Sequence, residues 1–325
     1  MSDAAVQLLV PPSDQASRLR ALVETAAPAP VRRRAKVLTI SSGKGGVGKT
    51  TASVSLSIAM TQLGWRTTLL DADLGMANAD VLCGLTPTRR LEQFVGVSDR
   101  TRAVGAPSRL EDIAIDAPGG FRLIPGSVGV ARMAELAAHE RTRLMGALDE
   151  LEEDTELLIV DTGAGLGREV LSFMHSADLA LVIATPEPTS IADAYALIKC
   201  ALLGGGGGLG AAERPSRIGL VVNQVSSKKE ADAVHARIAS VCARFLRYRL
   251  PCLGWVAQDA QVGAAVRKRK PLILDEPRCQ ASRDLRRLAC VLVENLELRH
   301  SRDQRLGNRL SGLSGLWSRL TLRGG

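Results

Sequence analysis

The chain has 325 residues, 46% apolar and 23% charged, which supports one large or two medium folded domains and excludes a disordered chain. Its formal charge of +8 sits at the two ends: residues 1–36 hold six Lys/Arg against three Asp/Glu, residues 299–325 hold six Arg against one Asp, and the body between is neutral. Acidic partners are therefore expected at the ends rather than over the whole surface. No run of about 18 apolar residues predicts a membrane span, and no basic-then-apolar start predicts a secretory signal.

Taken in chain order, Ser13–Glu24 has the length of a short helix, and Ala26–Arg34 (AAPAPVRRR) is a Pro-rich, charged linker. The β-branched run Lys36–Ser41 predicts a strand, then a Gly-rich turn and a helix over Lys49–Leu63. Thr67–Asp71 is the next strand, and Phe121–Pro125 adds a short one. Apolar runs at Leu157–Asp161, Leu179–Thr185, Ile218–Asn223 and Pro251–Val256 alternate with helix-length segments. Such alternation predicts an α/β fold, a doubly wound and mainly parallel sheet covered on both faces. The five glycines Gly204–Gly208 read as a surface loop; they do not lead from a strand into a helix, as a phosphate cradle must. Three regions follow: residues 1–35 as an N-terminal segment and linker, 36–298 as the folded body, and 299–325 as a basic amphipathic tail.

The sharpest motif is Gly43-Lys44-Gly45-Gly46-Val47-Gly48-Lys49-Thr50, followed by Thr51, which fits G-x-x-x-x-G-K-[ST] between a strand and a helix. The glycines let backbone N–H groups wrap the α- and β-phosphates of a nucleotide at a helix start that favours anions. Lys49 brings a point charge to the β- and γ-phosphates, and the Thr50 hydroxyl is placed to ligate Mg²⁺. Asp71 and Asp73, two residues apart, leave a strand tip on the same side, at the edge where open α/β sheets bind ligands. The run LLIVD ends another strand in Asp161. One strand-end carboxylate is often only a helix cap, but three beside a phosphate loop define a Mg²⁺-nucleotide site. The six cysteines contain no C-x-x-C pair and read as buried reduced thiols. The four histidines are isolated and read as surface residues.

Lys44, directly after the first glycine in SSGKGGVGKTT, resembles the deviant phosphate loop of the MinD/ParA ATPases. The resemblance covers about residues 36–290 and implies that Lys44 reaches the nucleotide of a facing subunit, so that ATP closes a homodimer. It also implies that Asp73 orients the attacking water, that Asp71 supports the Mg²⁺ shell, and that Asp161 holds Mg²⁺ through water. Residues Thr162–Gly167 would approach the γ-phosphate and change shape on hydrolysis. Asn223, ending IGLVVN, matches the adenine-reading asparagine of the family. Residues 71–85 (DADLGMANADVLCGL), 161–167 (DTGAGLG) and 184–199 (ATPEPTSIADAYALIK) are similar to its flagellar branch, the FlhG or FleN proteins. Asp14-Gln15-Ala16, with Leu19 and Arg20 after it, resembles the motif with which that branch stimulates the GTPase FlhF. The chain departs from the family at Gln258, where a proline usually precedes the Asp. Arg267–Lys270 before Pro271 is similar to a basic stretch of the branch and reads equally as a solvated helix end or a DNA contact.

In the tail, Leu306, Leu310, Leu313, Trp317 and Leu320 share one helical face, with Leu316 beside it and arginines on the flanks. Gly307, Gly312 and Gly315 each cost about 1 kcal/mol in an isolated helix, so the tail needs a surface to fold on. An anionic bilayer supplies one; docking on the body or on a partner helix are the alternatives. The expected protein is a Mg²⁺-dependent ATPase that dimerises with ATP and binds reversibly at the cytoplasmic face of the cell membrane. It would regulate flagellar number and placement through FlhF and flagellar assembly or switch proteins. The alternatives are a MinD-type division-site or ParA-type DNA-partitioning ATPase, or a low-turnover ATP-binding adaptor; the neutral body argues against DNA as the main partner.

Overall fold

The structure, a computed structural model, describes residues 35–73, 77–95, 109–126, 146–147, 151, 155–204 and 217–298. The Ser13–Glu24 helix, the linker, Gly205–Gly208 and the 299–325 tail expected from the sequence lie outside the described residues.

Eight strands form one sheet: β1 (Lys36–Ser42), β2 (Thr67–Ala72), β3 (Ile115–Asp116), β4 (Arg122–Ile124), β5 (Leu157–Ala164), β6 (Leu179–Ala184), β7 (Ile218–Val225) and β8 (Cys252–Ala257). Their spatial order is β3-β4-β2-β5-β1-β6-β7-β8. Every neighbouring pair is parallel except β3 with β4, an antiparallel edge too short to show in the sequence. The described helices are α1 (Lys49–Gln62), α2 (Ala79–Leu82), α3 (Leu91–Val95), α4 (Arg168–Ser176), α5 (Pro188–Leu203), α6 (Lys228–Val241), α7 (Ala260–Lys268), α8 (Leu272–Asp275) and α9 (Gln280–Asn295).

The central strands are continuous apolar runs because helices cover both faces. Along β6, Leu179, Leu181 and Ile183 join the core under α1 and α9, while Ala180, Val182 and Ala184 join the core under α5 and α6. Helix α1 is buried from Ala52 to Met60 although it carries three serines. Ser53 and Ser57 satisfy their hydroxyls on carbonyls one turn earlier, at 3.0 and 2.8 Å, which lets polar residues enter the core.

Strand β1 lies between β5 and β6, and the chain leaves it in one direction towards β2 and returns past it to β6. The carboxyl edge beside such a reversal is where ligands bind in open α/β sheets. The loop after β1, the end of β2 and the end of β5 all open there. Strands β1, β2, β5 and β7 run one to three residues further than the apolar runs suggest. Backbone pairing decides this: Ala72 pairs with Thr162, and Ser42 with Ala164.

Two sequence readings are corrected. Cys83 and Cys242 are buried, but Cys252 and Cys290 are exposed, because these two fall on the outward sides of β8 and α9. The two described histidines are not free surface residues. His175 pairs through Nε2 with the Ala201 carbonyl and His235 with that of Leu250, each at 2.9 Å, half-buried between helices and strand ends.

Candidate functional site

The loop after β1 wraps the start of α1. Gly48 is the N-cap residue, in the left-handed region at φ 89°, and no side chain caps the helix. The first amides of this 14-residue helix therefore suit an anionic ligand. The surroundings demand glycine at two positions. A Cβ at Gly43 would lie 2.2 Å from the Asp193 carbonyl oxygen in α5, and one at Gly48 would lie 2.6 Å from the Asn223 amide nitrogen. Gly45 and Gly46 are exposed on the outside of the loop, and Val47 is buried beneath it.

Lys49 is buried and donates from Nζ to Ser42 Oγ at 3.0 Å. Burial pulls its ammonium below the ordinary range, and the charges of Asp161 and Asp73 oppose that. Asp161 is 0% exposed. Its Oδ1 accepts from Ser53 Oγ at 2.9 Å, while Oδ2 has no hydrogen-bond partner among the described residues. Burial raises its pKa, against the hydroxyls of Thr50 and Ser53 and the charge of Lys49. A second carboxylate deepens the problem. Asp71 stands opposite Asp161 in the β2–β5 register, and burial and the Asp161 charge push its pKa upward. The backbone N–H groups of Asn78 and Ala79 donate to Asp71 Oδ2, each at 2.9 Å. Asp71 thus anchors the start of α2 as well as standing at the site.

Asp73 follows β2, and its carboxylate lies beside Gly163, 3.5 Å from where a Cβ on that glycine would be. Both carboxylates act on Asp161, but Asp71 also takes the N–H groups of Asn78 and Ala79 while Asp73 lies beside Gly163. A cation fits what is present: an unpartnered buried carboxylate oxygen, excess negative charge, and the Thr50 hydroxyl close by. Among the described residues no cluster of three His, Cys, Asp or Glu is placed to hold a metal ion; an Mg²⁺ held at Asp161 and Thr50 would complete its shell with nucleotide or water oxygens.

Lys44 is partly exposed and turns away from the phosphate loop. Its Nζ pairs with the Glu187 carboxylate and with Thr189 Oγ1, the latter at 3.0 Å, at the start of α5. Asn223 donates from Nδ2 to the Val47 carbonyl at 2.7 Å, and its Oδ1 accepts from the Gln224 N–H at 2.9 Å. Both ends of its amide are engaged, so it clamps the phosphate loop to the end of β7. It also borders a cavity of about 240 Å³ beside Gly48 and Thr51. Residues 256–259 and Leu272 line the far wall, so the segment with Gln258 in place of the usual proline does reach the site. Thr162 is fixed by its hydroxyl to the Ile40 carbonyl at 3.1 Å, and the Gly165 N–H donates to the Ser42 carbonyl at 2.9 Å. The 162–167 segment is thereby tied to the end of β1, from which the phosphate loop starts.

Ser42, Ser53, Glu187, Thr189 and Gln224 contact the expected site residues and are not picked out by the sequence reading. Only Ser53 carried a signal, since it stands one helical turn after Lys49. The others are set by contacts across the sheet.

Comparison with known proteins gives the family and the fold. Residues 38–272 match the family described as the CobQ/CobB/MinD/ParA nucleotide binding domain. The chain is 38% identical over 247 residues to the antiactivator FleN of Pseudomonas aeruginosa, covering 76% of this chain and 82% of that one. It is 29% identical over 295 residues to the flagellum site-determining protein YlxH of Helicobacter pylori, covering 88% and 92%. Among solved structures, the septum site-determining protein MinD of Pyrococcus horikoshii, complexed with Mg-ADP, shares the fold. Its TM-score is 0.61 at 21% identity, over 78% of this chain and 94% of that one. The chain belongs to the CobQ/CobB/MinD/ParA nucleotide-binding family and is a P-loop ATPase of the MinD/ParA type.

Proposed function

We propose that this ATPase is a switch that binds ATP with Mg²⁺, closes into a homodimer, and acts at the membrane to regulate flagellar number and placement. The observation that carries it is the meeting of Lys49, Thr50, Asp73 and Asp161 around an uncapped helix start, with Lys44 on the outer rim. The similarity to FleN and to a flagellum site-determining protein supports the flagellar output. Residues 36–298 form the ATPase body, 1–35 a partner-binding segment that stimulates an FlhF-type GTPase through Asp14, Gln15 and Ala16, and 299–325 a membrane tail.

Each residue has a chemical task. The α1 amides and Lys49 hold phosphate oxygens, and Lys49 exchanges its Ser42 bond for them. Thr50 and Asp161 hold Mg²⁺, and Asp71, pinned by two amides, keeps the neighbouring charge fixed. When bound, Mg²⁺ neutralises phosphate charge as it shifts to the leaving group. Asp73, beside Gly163, orients the attacking water. Lys44 leaves Glu187 and Thr189 to reach the nucleotide of the facing copy. The apolar wall of the cavity takes the adenine, and Asn223 meets it with the amide N–H that it does not give to Val47.

Replacing Asp73 with Ala tests the assignment. Turnover is expected to fall about 100-fold with ATP binding retained; normal hydrolysis would contradict it. A peptide of residues 1–25 is expected to raise the turnover of an FlhF-type GTPase, and no change would remove that partner.

A further inference from the structure

Each crossover helix returns the chain from the carboxyl edge of the sheet to the amino edge, so α5 and α6 both end opposite the nucleotide site. The two most exposed large apolar side chains among the described residues are there: Leu203, 62% exposed, and Phe245, 63% exposed. Leu203 ends α5, which packs against the π turn Cys242–Leu246 that ends α6. Along α6 and this turn, Ala231, Val234, Ile238 and Cys242 are buried, which turns Arg237 and Arg244 outward. Arg247 and Arg249 are exposed as well, and no Asp or Glu occurs from residue 233 to 258. The Arg244 guanidinium lies 5.2 Å from the centre of the Phe245 ring, which holds ring and charge together.

The patch is a fixed part of the body. Tyr248 Oη accepts from the Ile218 N–H at 2.9 Å and donates to the Ile218 carbonyl at 2.8 Å, tying the 244–249 segment to the start of β7. Arg217, next to Ile218, donates to the Asn295 carbonyl, so the end of α9 reaches the same edge. The chain then continues from Leu298 into the tail with its leucines, Trp317 and arginines.

Four exposed arginines within residues 237–249, beside an exposed ring and close to an exposed leucine, are complementary to an anionic, partly apolar surface. We infer that Arg237, Arg244, Phe245, Arg247 and Arg249, with Leu203, form a second membrane-contact site on the folded body, against the headgroups of an anionic bilayer. Arginine and an aromatic ring at one level match the headgroup boundary, where the ring enters and the charges meet phosphates. The choice of a bilayer over other anions rests on the membrane reading of the tail, whose sequence follows directly on Leu298.

The test uses the full chain with Mg-ATP and vesicles of phosphatidylcholine, alone or mixed with phosphatidylglycerol. One variant carries Arg244→Gln, Phe245→Ser and Arg247→Gln; another carries Leu313→Ser and Trp317→Ser. The patch variant is expected to bind mixed vesicles about 30-fold more weakly, the weight of two arginines at a charged bilayer, with its turnover in solution unchanged. Binding equal to the unmodified protein overturns the inference, as it would if the patch served DNA or an acidic protein. If the tail variant alone binds normally, the tail reading fails while the patch result stands. Should the triple change lower the melting temperature, Arg244→Gln with Arg247→Gln, keeping Phe245, carries the same expectation and the same contrary result.

Discussion

Asp161 carries the main cost of the site in one side chain. Its carboxylate is fully buried, faces Asp71 across β2–β5, and leaves Oδ2 without a hydrogen-bond partner among the described residues. A residue that destabilises the empty fold is expected where binding a cation repays the cost. Asp161→Asn should therefore raise the melting temperature of the nucleotide-free protein by about 2–4 °C and lower turnover at least about 100-fold. Burial lifts the Asp161 pKa above its ordinary 3.8. A raised carboxyl contributes stability that is fully present below the ordinary value and lost as pH rises through the folded value. With its folded value at about 6, melting of the nucleotide-free protein should thus decline between about pH 4 and about pH 6, and decline less in the Asn variant. Gly43→Ala is a steric test at the same scale. Its Cβ would meet the Asp193 carbonyl at 2.2 Å, and unfolding should become easier by about 1–3 kcal/mol in a denaturant titration.

At the scale of elements, α5 holds the phosphate loop from outside. Glu187 and Thr189 take Lys44, and the Asp193 carbonyl closes over Gly43. An exposed ion pair is worth at most about 1 kcal/mol, so Glu187→Ala should free Lys44 and lower the half-saturating ATP concentration by up to about fivefold. No decrease would mean that Glu187 does not restrain Lys44. This contact also marks the limit of what the sequence reveals. The strand–glycine–helix run from Lys36 to Gln62 is legible because periodicity and phosphate-loop spacing are local properties. Glu187 lies 143 residues from Lys44, and only the placement of β6 beside β1 brings them together. Asn223 was legible as a site residue but not as a clamp on Val47, since a hydrogen bond to a loop carbonyl leaves no sequence pattern. The two-residue strand β3 is too short to leave a pattern, and the exposure of Cys252 and Cys290 depends on which sides of β8 and α9 face outward.

For the whole molecule, the sheet separates two kinds of work. Phosphate-binding groups and carboxylates gather at the carboxyl edge, while exposed arginines, Phe245 and the end of α9 gather at the amino edge. The formal charge of +8 is therefore a poor guide by itself. The body is neutral in sum but carries a local cationic face, which only the positions of α5, α6 and the π turn make visible. The central claim is that ATP, and not ADP, joins two copies through Lys44. Its most direct test is the mass in solution of the Asp73→Ala protein, measured by light scattering with Mg-ATP and then with Mg-ADP. The account predicts twice the mass of one chain with ATP and a single chain with ADP. The same mass in both nucleotides would contradict it.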